Sequence, residues 1–328
     1  MGGVLHEKTA NRVRAAIKDR ATWFALLYKS FSEELSPEAN EAAARRAIYA
    51  YGTYKGERDG TRMTSAAFLR RFVDIGGADL FAAEIHAGFG STLNTVGYCA
   101  LVEAWRDLGC DASEIDLYCD IAMEGDRARA HWHGLTLDLG ETIGKGCAHC
   151  EIRLIDSSDE RPGTDSSANV DADSASDELS MVRAALKDRA VWFALLYREY
   201  AQLLPAETVQ MRARAAIGEF GAMKGKRDQQ PFDHREWVRR HREKGSAEVF
   251  HSVVESGASY SVQQMRSCPL MDGWRELGCT PEETTLFCDI AMDGDRGRAA
   301  YHGVPLELVQ TMPNGHSFCK LVVRQRGD

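Results

Sequence analysis

Cysteine, aspartate and histidine occur close together in the segment 119–150, and these side chains can carry out covalent or acid–base catalysis. The residues are Cys119, Asp120, His133 and Cys150. A cysteine attacks as its thiolate, and a histidine oriented by a carboxylate is the usual base that generates that thiolate. The alternative interpretation is that the cysteines are inert core residues, because a buried cysteine behaves as a small hydrophobe.

The same residue types return in the second half of the chain at a constant offset of 169 residues. Segment 13–28 returns as 182–197 with only two differences. The chain is therefore a duplicated globular domain, since this period is far longer than that of a solenoid repeat. The thiols, the carboxylate and the imidazole are kept in both copies, which favours a functional role. The second-copy candidates, the first of which corresponds to Cys99, are Cys268, Cys288, Asp289, His302 and Cys319.

A metal site is the competing interpretation of this segment. Cys147, His149 and Cys150, with His131 upstream, resemble a cysteine and histidine set for zinc. Three of these positions change in the second copy, to His316, Phe318 and Ala300. A structural zinc site needs four ligands, so we expect neither a metal nor another cofactor.

Helical patterns must position these residues in each copy. We predict helices over 64–75, 79–87 and 95–108, and a short helix from 111 to 123 that opens with a capping box. Residues 135–143 and 150–154 alternate apolar and polar side chains around a turn, which predicts an antiparallel hairpin. Each copy is therefore predicted to be an α+β domain, a helical layer packed on a small antiparallel sheet. We expect the two homologous domains to form an intramolecular pseudo-dimer.

The composition sets the domain boundaries. The segment 156–178 is rich in Asp and Ser and can bury little, which predicts a disordered, flexible acidic linker. We therefore place the two domains at 1–155 and 179–328.

The charge and the cysteine content indicate the class of protein. With 49 acidic and 40 basic residues the net charge is −9, which disfavours binding to nucleic acid. No apolar run approaches the length of a membrane helix, and the start of the chain has no signal-peptide core. Nine cysteines in a chain of this size indicate free thiols in a reducing compartment. We predict a cytoplasmic protein that acts on a small molecule and binds neither nucleic acid nor membrane.

The order of several short motifs is similar to that of a known family. The motifs are Lys18-Asp19-Arg20-Ala21, the segments 47–52 and 103–109, Cys119-Asp120-Ile121-Ala122-Met123 and the segment 146–153. The second copy adds Cys268-Pro269-Leu270-Met271. In this order they resemble the L-2-amino-thiazoline-4-carboxylic acid hydrolase family over nearly all of both copies. The tandem form is a departure, because members of that family are generally single-domain.

The resemblance implies hydrolysis of a C–N or C–S bond in an amino-acid-derived nitrogen heterocycle. Under this hypothesis Cys119 or Cys150 is the nucleophile, Asp120 is a base or an anchor for a substrate ammonium group, and His133 is a proton shuttle. A water mechanism stays open beside the thiol mechanism. Two other functions also stay open: a biosynthetic enzyme that closes a strained nitrogen ring by expelling a leaving group, and a pair of non-catalytic sensor domains that bind a small molecule. A carrier protein that presents the substrate is a candidate partner.

Polar residues that differ between the copies suggest a division of labour. Tyr54, His86, Asn94 and His131 have the counterparts Met223, Glu255, Gln263 and Ala300. We therefore expect the first copy to be the catalytic half if only one is active. Tyr54, His86, Asn94 and Cys99 are predicted to bind substrate, and Arg127 is predicted to bind a substrate carboxylate.

Overall fold

The chain divides into two compact units. The computed structural model describes residues 5–157 and 178–325. Unit 1 comprises Met1–Thr22 and Pro37–Met181, and unit 2 comprises Trp23–Ser36 and Val182–Asp328. Residues 158–177, which make up nearly all of the predicted linker, lie outside the described residues.

The first repeat combines six helices with a four-stranded sheet. Its helices are α1 (Glu7–Phe31), α2 (Pro37–Asp59), α3 (Ser65–Asp74), α4 (Gly77–Phe81), α5 (Ala100–Asp107) and α6 (Ala112–Trp132). Its strands are β1 (Ala83–Gly88), β2 (Ser91–Val96), β3 (Leu135–Leu139) and β4 (Cys150–Asp156). A 3₁₀ turn at Ile143–Lys145 connects β3 to β4.

The second repeat has the same element order. Its helices are α7 (Glu178–Ala201), α8 (Ala206–Arg227), α9 (His234–Glu243), α10 (Ser246–Val249), α11 (Pro269–Glu276) and α12 (Pro281–His302). Its strands are β5 (Ser252–Ser256), β6 (Tyr260–Met265), β7 (Leu306–Gln310) and β8 (Cys319–Arg324), with a 3₁₀ turn at Met312–Asn314.

Both sheets are antiparallel and have the same topology, with the orders β1-β2-β4-β3 and β5-β6-β8-β7. The predicted hairpin is present as β3 and β4. The register of β2 and β4 places Val96 opposite Cys150, at the end of the sheet where the 3₁₀ turn begins. The predicted α+β class and the tandem pair of similar domains are confirmed.

The long central helices begin at strong capping signals. Asp111 caps α6 by accepting from the Glu114 N–H, and the Glu114 carboxylate accepts from the Asp111 N–H in return. Thr280 and Glu283 form the same capping box at the start of α12, where Pro281 occupies the first turn. These caps satisfy N–H groups that would otherwise lack partners, so they fix where each helix starts.

Each repeat has a core between its helices and its sheet. In unit 1, Leu69, Ala130, Leu135 and Leu154 form one buried cluster. In unit 2, the ring of Phe31 stacks on that of Tyr200 at 3.8 Å between centroids. Among the described helices, none is long and apolar enough to span a membrane.

Two of the predicted helices are wrong in their middle parts. Residues predicted as helix at 79–87 and 95–108 contain strands β1 and β2, and the helices there are limited to α4 and α5. The strand pattern is weak because the buried positions of β2 include Thr92 and Asn94, which are polar. The helix predicted to end near residue 123 continues to Trp132.

Candidate functional site

Two of the predicted catalytic cysteines lie at the 3₁₀ turn of unit 1. The Ile143 N–H donates to the Cys150 Sγ at 3.2 Å. Gly144 packs directly against Cys119, such that a Cβ on Gly144 would lie 2.7 Å from the Cys119 Cβ. Helix α6 and strand β4 therefore present one thiol each to the same short turn. The sequence prediction that Cys119 and Cys150 approach one another agrees with this placement.

Cys99 completes a group of three thiols. It is the N-cap residue of α5, and it lies close enough to Cys119 and Cys150 to raise the pKa of both. Burial is the main cause in each case, and it raises the pKa of Cys119 to about 12. At neutral pH these thiols are therefore protonated in the free protein. Any thiolate must form after a substrate has supplied positive charge or has removed water.

Unit 2 repeats this arrangement with Cys268, Cys288 and Cys319. The Met312 N–H donates to the Cys319 Sγ at 3.3 Å. Burial raises the pKa of Cys268 to about 11 and raises the pKa of Cys288 further. The three thiols are thus a feature of both repeats.

Asp120, the predicted catalytic carboxylate, belongs to a network of two carboxylates and two arginines. Its Oδ1 accepts from Arg127 Nη2 at 2.6 Å and its Oδ2 from Arg45 Nη2 at 2.7 Å. The same arginines reach Glu124 Oε1 at 3.0 and 2.9 Å. Burial alone would raise the pKa of Asp120, but the hydrogen bonds from both arginines lower it. A carboxylate held in this way is a weak base, so binding of a charged group suits it better than proton abstraction.

Unit 2 has the same network, which we call the ion grid in both repeats. Asp289 binds Arg296 at 2.7 Å and Arg214 at 2.5 Å. Asp293 binds Arg214 at 2.9 Å and Arg296 at 2.6 Å.

A cavity of about 690 Å³ opens at the ion grid of unit 2. Its lining combines the thiol Cys288 with the grid residues Asp289 and Arg296. Side chains from β7 and from the 3₁₀ turn form the other wall, including Leu308, Thr311 and Asn314. Because positive and negative groups alternate beside a thiol, the cavity can hold a small molecule that carries both a carboxylate and a cationic nitrogen.

His133 does not join the thiols. It caps the C-terminus of α6, fourteen residues after Cys119, which corresponds to about 21 Å along the helix. Its Nδ1 accepts from the Met63 N–H at 3.1 Å, so its proton lies on Nε2, which donates to Asp59 Oδ2 at 3.0 Å. Both ring nitrogens are occupied and the side chain is fully buried. The predicted proton shuttle is therefore wrong on geometry, and His133 is a structural residue.

The carboxylate that holds His133 was missed by the sequence reasoning. Asp59 is buried and also receives two hydrogen bonds from Arg129, at 2.6 and 2.7 Å. Burial would raise the pKa of Asp59, but the hydrogen bonds from His133 and Arg129 hold it well below its usual range. Retention at the offset of 169 is the signal that could have found this group.

In unit 2, Asp228 binds Arg298 at 2.6 and 2.8 Å and His302 at 3.2 Å. Gln230 donates to the free nitrogen of that histidine at 3.1 Å. His302 therefore has the same structural role as its first-repeat counterpart.

The predicted substrate-binding residues are placed in different surroundings. Cys99 joins the thiols and Arg127 joins the ion grid. His86 lies opposite Leu93 on edge strand β1 with a largely exposed side chain, whereas Asn94 faces the buried side of the sheet. Tyr54 lies on α2 under the Arg58 guanidinium. The structure thus does not bring His86 and Asn94 to one site.

The metal alternative also has a structural counterpart. His149 is half-exposed, and its Nε2 lies 3.8 Å from Glu141 and 3.6 Å from Glu151. Within residues 5–157 and 178–325, no group of three or more His, Cys, Asp or Glu side chains is arranged to hold a metal ion.

Comparison with known proteins identifies one family. A family model described as L-2-amino-thiazoline-4-carboxylic acid hydrolase matches residues 14–154 and again residues 183–323. The two matches cover both repeats, including the thiols and the ion grids. No curated protein and no solved structure matches the chain.

Proposed function

Since the chain belongs to the L-2-amino-thiazoline-4-carboxylic acid hydrolase family, we propose that it hydrolyses a C–N or C–S bond in a small, amino-acid-derived nitrogen heterocycle. The observation that carries this proposal is the ion grid beside a thiol in the cavity of unit 2. Cyclic amidines derived from amino acids carry a carboxylate and a protonated nitrogen. Arginine fits the first charge and aspartate fits the second.

The ion grid would orient such a substrate by its charges. Arg127 or Arg296 would take the carboxylate in place of one of its present acidic partners, and Asp120 or Asp289 would take the cationic nitrogen. Because the arginines already share their carboxylates, a zwitterion can replace internal ion pairs without leaving a buried charge unpaired. The predicted anchor role of Asp120 is retained in this proposal.

The reaction adds water to the ring carbon that lies between nitrogen and sulfur. The water oxygen forms the new C–O bond. If the ring C–S bond breaks, the sulfur leaves as a thiol and a urea group remains. If the ring C–N bond breaks instead, an amine leaves and a thiocarbamate remains. Protonation of the ring nitrogen makes the carbon electrophilic, which is why a cationic form of the substrate suits the acidic side chains.

Both repeats are proposed to be active. The thiols, the grid arginines and the aspartates are present in each. His86 and Asn94, which motivated the expectation of a single catalytic half, lie apart from one another in unit 1. His131 is exposed. These differences therefore give no reason to assign catalysis to one repeat.

Incubation with 2-aminothiazoline-4-carboxylate tests the proposal. We expect release of a thiol, measured with a chromogenic disulfide reagent after removal of the protein, or release of an amine if the C–N bond is cut. Turnover of an activated open-chain amine to a ring, with no ring opening, would favour the ring-closing enzyme. Saturable binding measured by calorimetry without any product would favour the sensor.

A further inference from the structure

One aspartate of each repeat stands on the same helix face as a thiol. Asp126 follows Cys119 by seven residues on α6, and Asp295 follows Cys288 by seven on α12. Seven residues turn an α-helix by almost two full turns and advance it by about 10 Å. Asp120 is one residue further round the helix, so the ion grid occupies the neighbouring face. The thiols and Asp126 therefore share one side of α6.

The surroundings of Asp126 differ from those of the other kept carboxylates. Asp59 and Asp120 are held by direct hydrogen bonds from arginines, but neither Asp126 nor Asp295 forms a hydrogen bond or an ion pair within the described residues. Burial raises the pKa of both, although the nearby arginines oppose this shift. The Asp126 side chain is nonetheless accessible. An accessible carboxyl group that is poorly hydrated indicates a recess, and no internal partner occupies it.

Cys99 lies close to this carboxyl group. The negative charge of Asp126 raises the pKa of Cys99, and the positive charge of Arg20 lowers the pKa of both groups. The thiol is half-buried at the start of α5. The N–H groups of Leu101 and Val102 also act to lower its pKa, although they complete no capping hydrogen bond. A thiolate formed here would have an arginine and two backbone dipoles to stabilise it.

The second repeat keeps each of these groups. Cys268 is the N-cap of α11, and the N–H groups of Leu270 and Met271 act on it in the same way. The positive charge of Arg189 lowers the pKa of Asp295. A thiol at a helix start, an arginine and an unpaired aspartate thus occur twice at the offset of 169.

We propose that Asp126 and Asp295 are the catalytic acid–base residues of the two repeats, and that each exchanges a proton with the thiol at the start of the preceding helix, Cys99 or Cys268. This inference rests on the proposed hydrolysis and names the groups that carry it out. It places the nucleophile at Cys99 rather than at Cys119 or Cys150, because those two thiols are closed off by the 3₁₀ turn.

The steps balance without a further reactant. Asp126 takes the proton of the Cys99 thiol, and the sulfur forms a bond to the cationic ring carbon. The electrons of the ring C–S bond pass to the ring sulfur, which takes the proton back from Asp126 and leaves as a thiol. Water then bonds to the same carbon through its oxygen and displaces Cys99. One water proton returns to Cys99 through Asp126, and the other is released to solvent, which restores the proton that the substrate had bound.

Site-specific alkylation separates this role from a structural one. Trypsin releases Cys99 in the peptide 72–106 and Cys268 in the peptide 267–275, each with a single cysteine. Iodoacetamide labelling of the full-length protein, followed by mass spectrometry of these peptides, gives the reactivity of each thiol. In Asp126→Asn with Asp295→Asn, a repelling charge beside Cys99 is lost. We therefore expect its alkylation at pH 7.5 to be faster by about threefold or more.

Turnover of 2-aminothiazoline-4-carboxylate must change in the opposite direction. We expect the same double variant to lose turnover by about 100-fold or more, the usual contribution of a general acid–base group. Asp138→Asn with Glu307→Gln is the matched control, because these carboxyls occupy equivalent exposed positions on β3 and β7. It should leave alkylation, turnover and melting temperature unchanged.

Faster alkylation together with lost turnover supports the proposal. Retained turnover in the double variant overturns it, and so does unchanged or slower alkylation of Cys99. If the wild-type protein opens no ring of this class, the proposed hydrolysis fails in its own right, and the alkylation result still decides whether Asp126 and Cys99 form a pair.

Discussion

Gly221 on α8 lies against Gly294 on α12 so closely that a Cβ on Gly221 would approach the Gly294 carbonyl oxygen to 1.9 Å. The first repeat has the same contact, where a Cβ on Gly52 would lie 2.0 Å from the Gly125 oxygen. Gly125 and Gly294 each precede one of the proposed acid–base residues. This close crossing therefore fixes the helix that carries the site.

The crossing can be tested by substitution of two glycines on one helix. Gly221→Ala should lower the free energy of unfolding by about 2 kcal/mol or more, because the new methyl group meets backbone that cannot move aside cheaply. Gly218→Ala, three residues earlier, meets nothing within 4 Å and should stabilise α8 by about 0.5 to 1 kcal/mol. Urea unfolding of the two variants measures both. Equal effects would mean that the helices do not cross at Gly221.

The buried group around Asp59 should contribute to stability rather than to catalysis. Asp59→Asn leaves Arg129 without its charged partner, and we expect a loss of about 3 to 5 kcal/mol in the free energy of unfolding. Glu307→Gln, which breaks an exposed pair with Arg324, should cost less than about 1 kcal/mol. Loss of turnover in Asp59→Asn at unchanged stability would restore a catalytic role for His133.

The same group predicts how stability depends on acid. The pKa of Asp59 and that of Asp228 are both lowered in the folded state. Their contribution is complete above the pKa of an unfolded aspartate, about 4, and it is lost as the pH falls through the lower folded value. The difference in unfolding free energy between wild type and Asp59→Asn should therefore shrink as the pH falls from about 5 to about 3. A constant difference would contradict this linkage.

The ion grid predicts a specific change in substrate affinity. Arg127→Gln with Arg296→Gln removes one arginine from each grid, and we expect KM for 2-aminothiazoline-4-carboxylate to rise by about tenfold or more. The KM for the corresponding carboxamide, which lacks the negative charge, should change much less. Steady-state kinetics on both substrates measures the contrast. An equal rise for acid and amide would mean that the grid does not bind the carboxylate.

Equal activity of the two repeats is the last prediction. Cys99→Ala and Cys268→Ala should each remove about half of the turnover, and the double variant should remove nearly all of it. Titration of active sites with a mechanism-based alkylating substrate would count two sites per chain. Full loss in Cys99→Ala alone would instead support the first repeat as the catalytic half.

The duplication, the α+β class and the last hairpin of each repeat could be predicted from the sequence, because each leaves a local pattern. The alternation at residues 135–139 and the capping box at Asp111 are examples. Strand β2 left no such pattern, since its buried side carries Thr92 and Asn94. The thiols and Asp120 were found because they are kept in both copies, but their partners come from other helices.

The error over His133 has a physical origin. Proximity along the chain suggested that a histidine near Cys119 would serve it, but a continuous helix moves the two apart by about 1.5 Å per residue. The sequence indicated that α6 stops near residue 123, and its continuation to Trp132 places the histidine beside Asp59. Asp126 was overlooked for the opposite reason, because seven residues of helix keep it on the face of Cys119.

The spacing on α6 also explains which changes the two copies have tolerated. One inserted or deleted residue between Cys119 and Asp126 would turn the following helix by about 100° and would carry the aspartate, the grid arginine and the Asp59 partner out of place together. Substitution affects one position at a time, whereas a change of length would disable three sites at once. The constant offset of 169 residues across the two copies is what such a constraint would leave behind. We expect insertions in this protein to be confined to the segments outside α6 and α12.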